Sequence, residues 1–283
     1  MHLMAANPAP PQFHSLASGY TLQFTDHAAA GEEQGVVVFI HGSGPGASGW
    51  SNFKHNVAYF QAAGYRCIVY DQWGYGLSDK PTDVDHTLDF FVEGLVGLLD
   101  GLGVQTAHLV GNSLGGAVAM GASLAHPGRV SSLILMAPGG IESRETYFAM
   151  PGIQAMVKYP MGSPEFTRDV LAKLLTQLVF DENQVDEELV SERWATLQTQ
   201  NSHVLATMQI PDLSPRLAEL TVPVLTFWGT DDRFCPPMGV WKVLGGAPNV
   251  QAELVNRCGH WVMSEYPDLF NRRCVDFLSH LPG

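Results

Sequence analysis

The chain has 283 residues, of which 46% are hydrophobic and 15% charged, with a formal net charge of −13 and a pI of about 5.1. This composition is typical of one large folded domain and excludes a disordered chain. The negative charge argues against nucleic acid and anionic membrane surfaces as partners. A small anionic substrate would need a local positive group to hold it.

Cysteine usage and the N-terminal sequence favour a cytoplasmic protein. Residues 1–11 lack the basic and apolar regions of a signal peptide, and no apolar run is long enough to span a membrane. No two cysteines form a C-x-x-C pair, so we expect reduced thiols at Cys67, Cys235, Cys258 and Cys274. Residues 1–17, rich in Ala and Pro, are predicted to be a flexible N-terminal arm.

The chain then alternates between predicted strands and predicted helices. Apolar runs predict strands at residues 20–25, 36–40, 66–70, 107–110, 130–137, 222–228 and 250–255. Helical spacing predicts helices at residues 52–63, 88–102, 114–127 and 267–281. This alternation implies an α/β fold with a mostly parallel central sheet and helices on both faces.

One segment interrupts the alternation. Residues 143–210 contain no buried strand pattern, whereas residues 165–180 and 187–200 have helical spacing. We interpret this segment as a helical cap, or lid, inserted over the functional site. The core domain would then consist of residues 18–142 and 211–283.

The most informative motif lies between a predicted strand and a predicted helix. Residues 111–115 read Gly-Asn-Ser-Leu-Gly, and G-x-S-x-G in a strand–turn–helix context is typical of a nucleophile elbow. The alternative is an ordinary strand–turn–helix corner. If Ser113 is a nucleophile, the rest of the chain must supply an acid, a base and an oxyanion hole.

In this fold the partners follow in the order serine, acid, histidine, each after a later strand. The strand at residues 222–228 leads to Asp231 and Asp232. We favour Asp232 as the acid on its spacing from the preceding glycine, and assign Asp231 to the turn. The strand at residues 250–255 leads to His260, so the predicted triad is Ser113, Asp232 and His260.

An oxyanion hole needs two N–H donors. Leu114 follows the nucleophile and supplies one of them. A glycine-rich loop at residues 41–46 follows the strand at 36–40 and lacks the lysine of a phosphate-binding loop. We predict that the Ser43 N–H in this loop is the second donor.

Five motifs taken together are more specific than the elbow alone. They are residues 41–47 (HGSGPGA), 50–53 (WSNF), 111–116 (GNSLGG), 228–234 (WGTDDRF) and 258–261 (CGHW). This set resembles that of the meta-cleavage product hydrolases of the α/β-hydrolase superfamily. The resemblance extends from about residue 35 to residue 281 and includes the cap.

The resemblance implies further site residues. Arg193, in the cap, would pair with the substrate carboxylate and supply the positive group that an acidic protein needs. The dienoate end of the substrate would contact Asn52, Asn112 and Trp261. The site would also be lined by Gly42 and Phe234.

The resemblance also implies a reaction. It is hydrolysis of the C5–C6 bond of a 2-hydroxy-6-oxohexa-2,4-dienoate in aromatic or steroid catabolism. The family carries alkyl, phenyl and seco-steroid groups at C6, and the many Met and Leu residues of the cap favour an aryl group over an alkyl one. Neither a metal nor an organic cofactor is expected, and members of the family are often homo-oligomers. Two alternatives remain open, a carboxylesterase on the same scaffold and a small-molecule receptor with a hydrolase fold.

Overall fold

The computed structural model describes residues 9–281, and its central feature is one eight-stranded sheet. The strands are β1 (Gln12–Ser15), β2 (Thr21–His27), β3 (Gly35–Ile40), β4 (Tyr65–Tyr70), β5 (Ala107–Asn112), β6 (Val130–Met136), β7 (Val224–Gly229) and β8 (Val250–Val255). Their order across the sheet is β1-β2-β4-β3-β5-β6-β7-β8. The β1–β2 and β2–β4 pairs are antiparallel and the others are parallel, which confirms the mostly parallel sheet.

Helices cover both faces of this sheet. They are α1 (Gly49–Phe53), α2 (Val57–Ala62), α3 (Leu88–Gly101), α4 (Leu114–Ala125), α5 (Arg144–Phe148), α6 (Pro151–Lys158), α7 (Arg168–Thr176), α8 (Glu187–Leu197), α9 (His203–Thr207), α10 (Gly239–Gly246), α11 (Val262–Glu265) and α12 (Pro267–Ser279). Alternate residues of the central strands pack into one apolar cluster with α3, α4 and α10, and into another with α1, α2 and α12. No helix within residues 9–281 has the length and apolarity needed to cross a membrane.

The parallel strands place the predicted site residues on one side of the molecule. The carboxyl ends of β3, β5, β7 and β8 lie at the same edge of the sheet, because parallel strands run in one direction. The predicted triad residues and Ser43 lie in the segments directly after these four strands, and Leu114 is the first residue of the helix that follows β5. The topology therefore brings together segments that are far apart in the sequence.

The prediction of a flexible N-terminal arm at residues 1–17 is wrong for part of that segment. Gln12–Ser15 form an edge strand that pairs antiparallel with β2. Four residues are too few for a strand pattern to be recognised in the sequence. Residues 1–8 of the predicted arm lie outside the described residues, as do residues 282–283.

The single helix predicted at residues 52–63 is in fact two helices. α1 begins after Ser48, whose hydroxyl accepts a hydrogen bond from the Ser51 N–H in a capping box. α2 begins after Asn56, whose buried side-chain amide donates to Met263 O and Asn271 Oδ1. These tertiary contacts hold the turn between the two helices.

Residues 143–210, which we call the cap, contain the five short helices α5 to α9. The helix predicted at residues 165–180 is only Arg168–Thr176, because the Thr167 side chain caps its start and the chain then turns toward the core. The prediction did not include α5, α6 and α9, since each is too short to show helical spacing.

Hydrogen bonds that involve main-chain groups of the cap join it to the segment of the core after β8. The His260 N–H donates to Leu178 O at 2.8 Å. The Phe180 N–H donates to the Glu265 carboxylate at 2.7 Å. The cap backbone just after α7 is therefore fixed directly to the loop after β8.

Candidate active site

Ser113 lies on a sharp turn between β5 and α4. Its backbone is in the left-handed region, with φ of 54° and ψ of −117°, which a non-glycine residue adopts only when the surrounding structure enforces it. A side chain at Gly115 would overlap the carbonyl of Ile40. The small residue lets the turn pack closely against β3 and present the Ser113 side chain beyond the sheet, as expected for a nucleophile elbow.

His260 and Asp232 form a buried pair. His260 Nδ1 lies 2.7 Å from Asp232 Oδ2, and both residues are at most 5% exposed. Asp232 Oδ1 accepts hydrogen bonds from the N–H groups of Phe234 and Cys235 at 2.7 and 2.9 Å. The Asp231 carboxylate instead accepts a hydrogen bond from the hydroxyl of its neighbour Thr230. The structure thus places Asp232 rather than Asp231 against the histidine.

The loop that carries His260 is held by a carboxylate that the sequence analysis did not single out. Glu265 Oε1 accepts a hydrogen bond from the Gly259 N–H at 2.7 Å, and Oε2 accepts from the Phe180 N–H at 2.7 Å. Burial raises the pKa of Glu265, whereas these hydrogen bonds lower it. No sequence pattern marks Glu265, because its role depends on contacts between distant segments.

The two predicted oxyanion donors flank Ser113. Leu114 is the first residue of α4, and the N–H of that position has no acceptor within the helix. Ser43 has no hydrogen-bond partner among the described residues. Both residues line the same cavity as Ser113.

Arg193 is a buried cation beside this cavity. It is 2% exposed, and its Nη2 donates to Asn52 Oδ1 at 2.8 Å. Its guanidinium carbon lies 4.9 Å from the centre of the Trp261 ring, whereas its buried Nε has no hydrogen-bond partner among the described residues. Burial lowers the pKa of Arg193 to about 10, so the group is still protonated near neutral pH.

A chain of amides connects Arg193 to the elbow. The Asn52 side-chain amide donates to Asn112 Oδ1 at 3.4 Å. The Asn112 amide in turn donates to Met136 O and His260 O at 3.2 and 3.3 Å. Asn112 lines the cavity, as predicted, but its polar atoms already have protein partners, so its position supports Arg193 and the histidine loop.

The cavity has a volume of about 690 Å³ and extends under the cap. The predicted site residues Gly42, Phe234 and Trp261 line it. Most of the cap side chains that line it are apolar, and they include Ile153, Met156, Leu171, Leu174, Leu175, Leu178 and Met208. The structure therefore places an apolar compartment next to a buried cation.

Cys235 is a further residue that the sequence analysis left unassigned. It lines the cavity, and ligand atoms of Asp232, Cys235 and His260 lie within 4.8 Å of one another. Burial raises the pKa of Cys235 well above its usual range, Asp232 raises it further, and a hydrogen bond with Ser113 opposes them. The sequence signal that could have identified Cys235 is its position directly after Phe234, in the loop that contains Asp232.

Comparison with known proteins places the chain in a family. The sequence model of the alpha/beta hydrolase family matches residues 37–273. A 2-hydroxy-6-oxononadienedioate/2-hydroxy-6-oxononatrienedioate hydrolase of Dechloromonas aromatica (strain RCB) is 38% identical over 258 residues, 87% of each chain. A 2-hydroxy-6-oxo-6-phenylhexa-2,4-dienoate hydrolase of Burkholderia cepacia is 37% identical over 272 residues, 93% of each chain.

A solved structure agrees with these sequence matches. A mutant of a meta-cleavage product hydrolase from Pseudomonas fluorescens IP01 superimposes with a TM-score of 0.81 at 25% identity, covering 95% of this chain and 97% of that chain. The matches span the core strands and the cap. The chain therefore belongs to the alpha/beta hydrolase family and, within it, to the meta-cleavage product hydrolases.

Proposed function

We propose that this protein hydrolyses the C5–C6 carbon–carbon bond of a 2-hydroxy-6-oxohexa-2,4-dienoate, with Ser113, His260 and Asp232 as the catalytic triad. The observation that carries this proposal is Arg193, a buried guanidinium with no carboxylate partner within residues 9–281. An unpaired buried cation is unfavourable, and a substrate carboxylate would neutralise it. A simple neutral ester offers no such group.

The dienoate end of the substrate lies on the β3 side of Ser113. Arg193 binds the C1 carboxylate there, supported by Asn52 and by the Trp261 ring beneath the guanidinium. A guanidinium can bind a carboxylate through two parallel hydrogen bonds. The carboxylate and the C6 carbonyl are thereby held on either side of the cavity, with C6 next to the nucleophile.

Carbon–carbon cleavage needs a stabilised leaving group. Direct attack on the dienol would expel an unstabilised carbanion, so the dienol first becomes a ketone by losing the proton of its 2-hydroxyl group and gaining one at C5. When the C5–C6 bond breaks, its electron pair moves into the new 2-oxo group. His260, whose Nδ1 is paired with Asp232, is the general acid–base for these proton transfers.

Ser113 then attacks the C6 carbonyl, and His260 accepts the hydroxyl proton. The N–H groups of Ser43 and Leu114 stabilise the oxyanion, and each such donor is worth roughly 3 kcal/mol of transition-state stabilisation. Bond cleavage releases 2-hydroxypenta-2,4-dienoate and leaves an acyl-enzyme. Water activated by His260 hydrolyses that ester to the carboxylic acid.

The C6 substituent occupies the apolar compartment under the cap. Relatives of this chain act on substrates with either a phenyl group or a second carboxylate at that end, as their names state. The lining of Leu, Ile, Met and Phe side chains favours an apolar group through burial of its surface. We therefore expect an aryl substituent.

The test compares substrates of two classes. Turnover of 2-hydroxy-6-oxo-6-phenylhexa-2,4-dienoate is followed by loss of the dienoate absorbance, alongside hydrolysis of p-nitrophenyl esters. We expect kcat/KM to be higher for the dienoate by orders of magnitude. The reverse order would show a carboxylesterase.

A single variant distinguishes an enzyme from a small-molecule receptor. Ser113→Ala should still bind the dienoate but release no product. A biological response that persists with Ser113→Ala would indicate a small-molecule receptor instead. A cytoplasmic location and a homo-oligomeric state are further predictions, to be tested by fractionation and by light scattering.

A further inference from the structure

A buried histidine contacts the loop that carries the second oxyanion donor. His41 follows β3 and is fully buried. Its Nε2 lies 3.0 Å from the main-chain nitrogen of Gln72, and its Nδ1 lies 2.7 Å from Gly42 O. A main-chain N–H can only donate, so Nε2 is the acceptor and the ring proton is on Nδ1. The Nδ1–H group therefore donates to the Gly42 carbonyl.

That carbonyl belongs to the same peptide group as the Ser43 N–H. A trans peptide is planar, with its C=O and N–H pointing in opposite directions, so fixing the carbonyl also fixes the N–H. We propose that His41 is a positioning residue of the oxyanion hole, which holds the Ser43 N–H toward the oxyanion, and that the Gln72 N–H selects the required tautomer. This inference rests on the proposed function, in which Ser113 is the nucleophile.

Gln72 holds the loop at a second point. Its side-chain Nε2 donates to His41 O at 2.7 Å, so both peptide groups that flank Gly42 are anchored. A side chain at Gly42 would lie 3.0 Å from Asn112 Oδ1 and 3.1 Å from the Cβ of Ser113. The anchored peptides are therefore packed directly against the elbow.

The His41 ring is a neutral donor near neutral pH. Burial lowers the pKa of His41 to about 4, Gly42 O opposes this effect, and the nearby charge of Arg193 adds to it. Donation to Gly42 O also polarises the peptide and strengthens its N–H as a donor. The stronger Ser43 N–H stabilises a substrate oxygen more as that oxygen gains negative charge. The stabilisation is therefore larger for the oxyanion than for the ground-state ketone. The effect should therefore appear in kcat rather than in KM.

Two matched substitutions separate positioning from mere packing. His41→Leu and His41→Asn both remove the ring and its contact with the Gln72 N–H, but Asn retains an N–H donor near the place of Nδ1. We expect His41→Leu to lower kcat for the phenyl dienoate by about 10- to 100-fold, with little change in KM. His41→Asn should recover most of that loss. The affinity for a boronic acid, which forms a tetrahedral serine adduct, should fall in parallel with kcat.

Further variants complete the test. If His41→Leu does not fold, the Gln72→Ala variant takes its place. Gln72→Ala removes the side-chain contact with His41 O but keeps the main-chain N–H of residue 72. This variant should also lower kcat without raising KM. His108→Leu is the control, since His108 bonds Ser132 away from the cavity.

Equal losses of kcat in His41→Leu and His41→Asn, or a change in KM alone, would overturn the inference. Unchanged boronic acid affinity in His41→Leu would do the same. A wild-type protein that does not cleave the dienoate would instead contradict the proposed function. In that case the kcat for ester hydrolysis would still test the role of His41, because ester hydrolysis needs the same oxyanion hole.

Discussion

The proposed contact of Arg193 with a carboxylate distinguishes a dienoate substrate from an ordinary ester. We expect Arg193→Gln to raise KM for the dienoate by about 10- to 100-fold, because a charge-assisted contact with the carboxylate is lost. Hydrolysis of a neutral p-nitrophenyl ester should change far less. Steady-state kinetics with both substrates measures the difference, and Arg216→Gln, at an exposed pair with Glu219, is the matched control. An unchanged KM would remove Arg193 from the binding site.

Asp232 and Asp231 are neighbours with different surroundings. We expect Asp232→Asn to lower kcat by roughly 10⁴-fold, because the histidine loses its orienting carboxylate. The kcat of Asp231→Asn should stay within a few-fold of wild type, since within residues 9–281 that side chain accepts a hydrogen bond only from Thr230. Single-turnover kinetics of both variants provides the comparison. Similar losses in both would contradict the assignment.

We predict that Cys235 makes the proposed triad sensitive to thiophilic cations. Cysteine and histidine together suit Zn²⁺ and Cd²⁺, and the ligand atoms of Asp232, Cys235 and His260 already lie within 4.8 Å of one another. We expect Cd²⁺ to inhibit by occupying the His260 lone pair, and a chelator to restore activity. Cys235→Val should need at least about tenfold more Cd²⁺ for the same inhibition.

The control for this prediction is Cys274→Ala, which removes a buried thiol of α12. It should be as sensitive to Cd²⁺ as the wild type. The ultraviolet absorbance of a cadmium–thiolate bond should disappear in Cys235→Val alone. If Cys235→Val remains as sensitive as wild type, the cation binds elsewhere.

The loop after β3 and the cap helix α8 meet at Gly46. This residue has φ of +67°, and a side chain there would overlap the carbonyl of Arg193. Gly46→Ala should therefore displace α8 and raise KM for the dienoate, in addition to a backbone strain of about 1–2 kcal/mol. Gly44→Ala is the comparison, because Gly44 also has a positive φ, of +136°, but no atom of the described residues lies within 4 Å of the added side chain. If both variants have equal KM values, α8 does not move.

Ser113, Asp232 and His260 could be predicted because each follows a strand, and strands leave a local apolar pattern. Arg193 required the family resemblance, since one arginine on a helix has no distinctive pattern. His41 and Glu265 each contact a main-chain N–H group of a distant segment, that of Gln72 for His41 and that of Phe180 for Glu265. The sequence therefore contains no local sign of these contacts. The same reason explains the break between α1 and α2, which depends on the side chain of Asn56. The short helices of the cap and α10 were missed because brief segments show little periodicity.

Three buried or half-buried histidines make the stability of the protein depend on pH. The pKa values of His41, His86 and His108 are each lowered from 6.5 to about 4, chiefly by burial. As pH falls below 6.5 the unfolded chain binds protons at these sites before the folded chain does. The free energy of unfolding therefore decreases between about pH 6.5 and 4 and is insensitive to these groups above that range.

The size of this effect can be checked by urea unfolding across the same pH range. The fully buried His41 accounts for about 3 kcal/mol of this decrease in unfolding free energy at most, since one pKa unit corresponds to about 1.4 kcal/mol. A His108→Gln variant should lose less stability on acidification than the wild type, because one such histidine is gone. If the two proteins show the same pH dependence, His108 titrates normally in the folded state.

The hydrogen bond from the His260 N–H to Leu178 O restricts how this enzyme can diversify. Side chains at and around residue 178 can change with the substrate, because the contact uses only the main chain. Chain length there cannot change freely, since one inserted or deleted residue would put a different carbonyl opposite the histidine loop. New substrate ranges should therefore arise through substitutions near residue 178, and insertions should be tolerated in the turn between α6 and α7. A chimaera that exchanges caps between relatives has to keep this register to remain active.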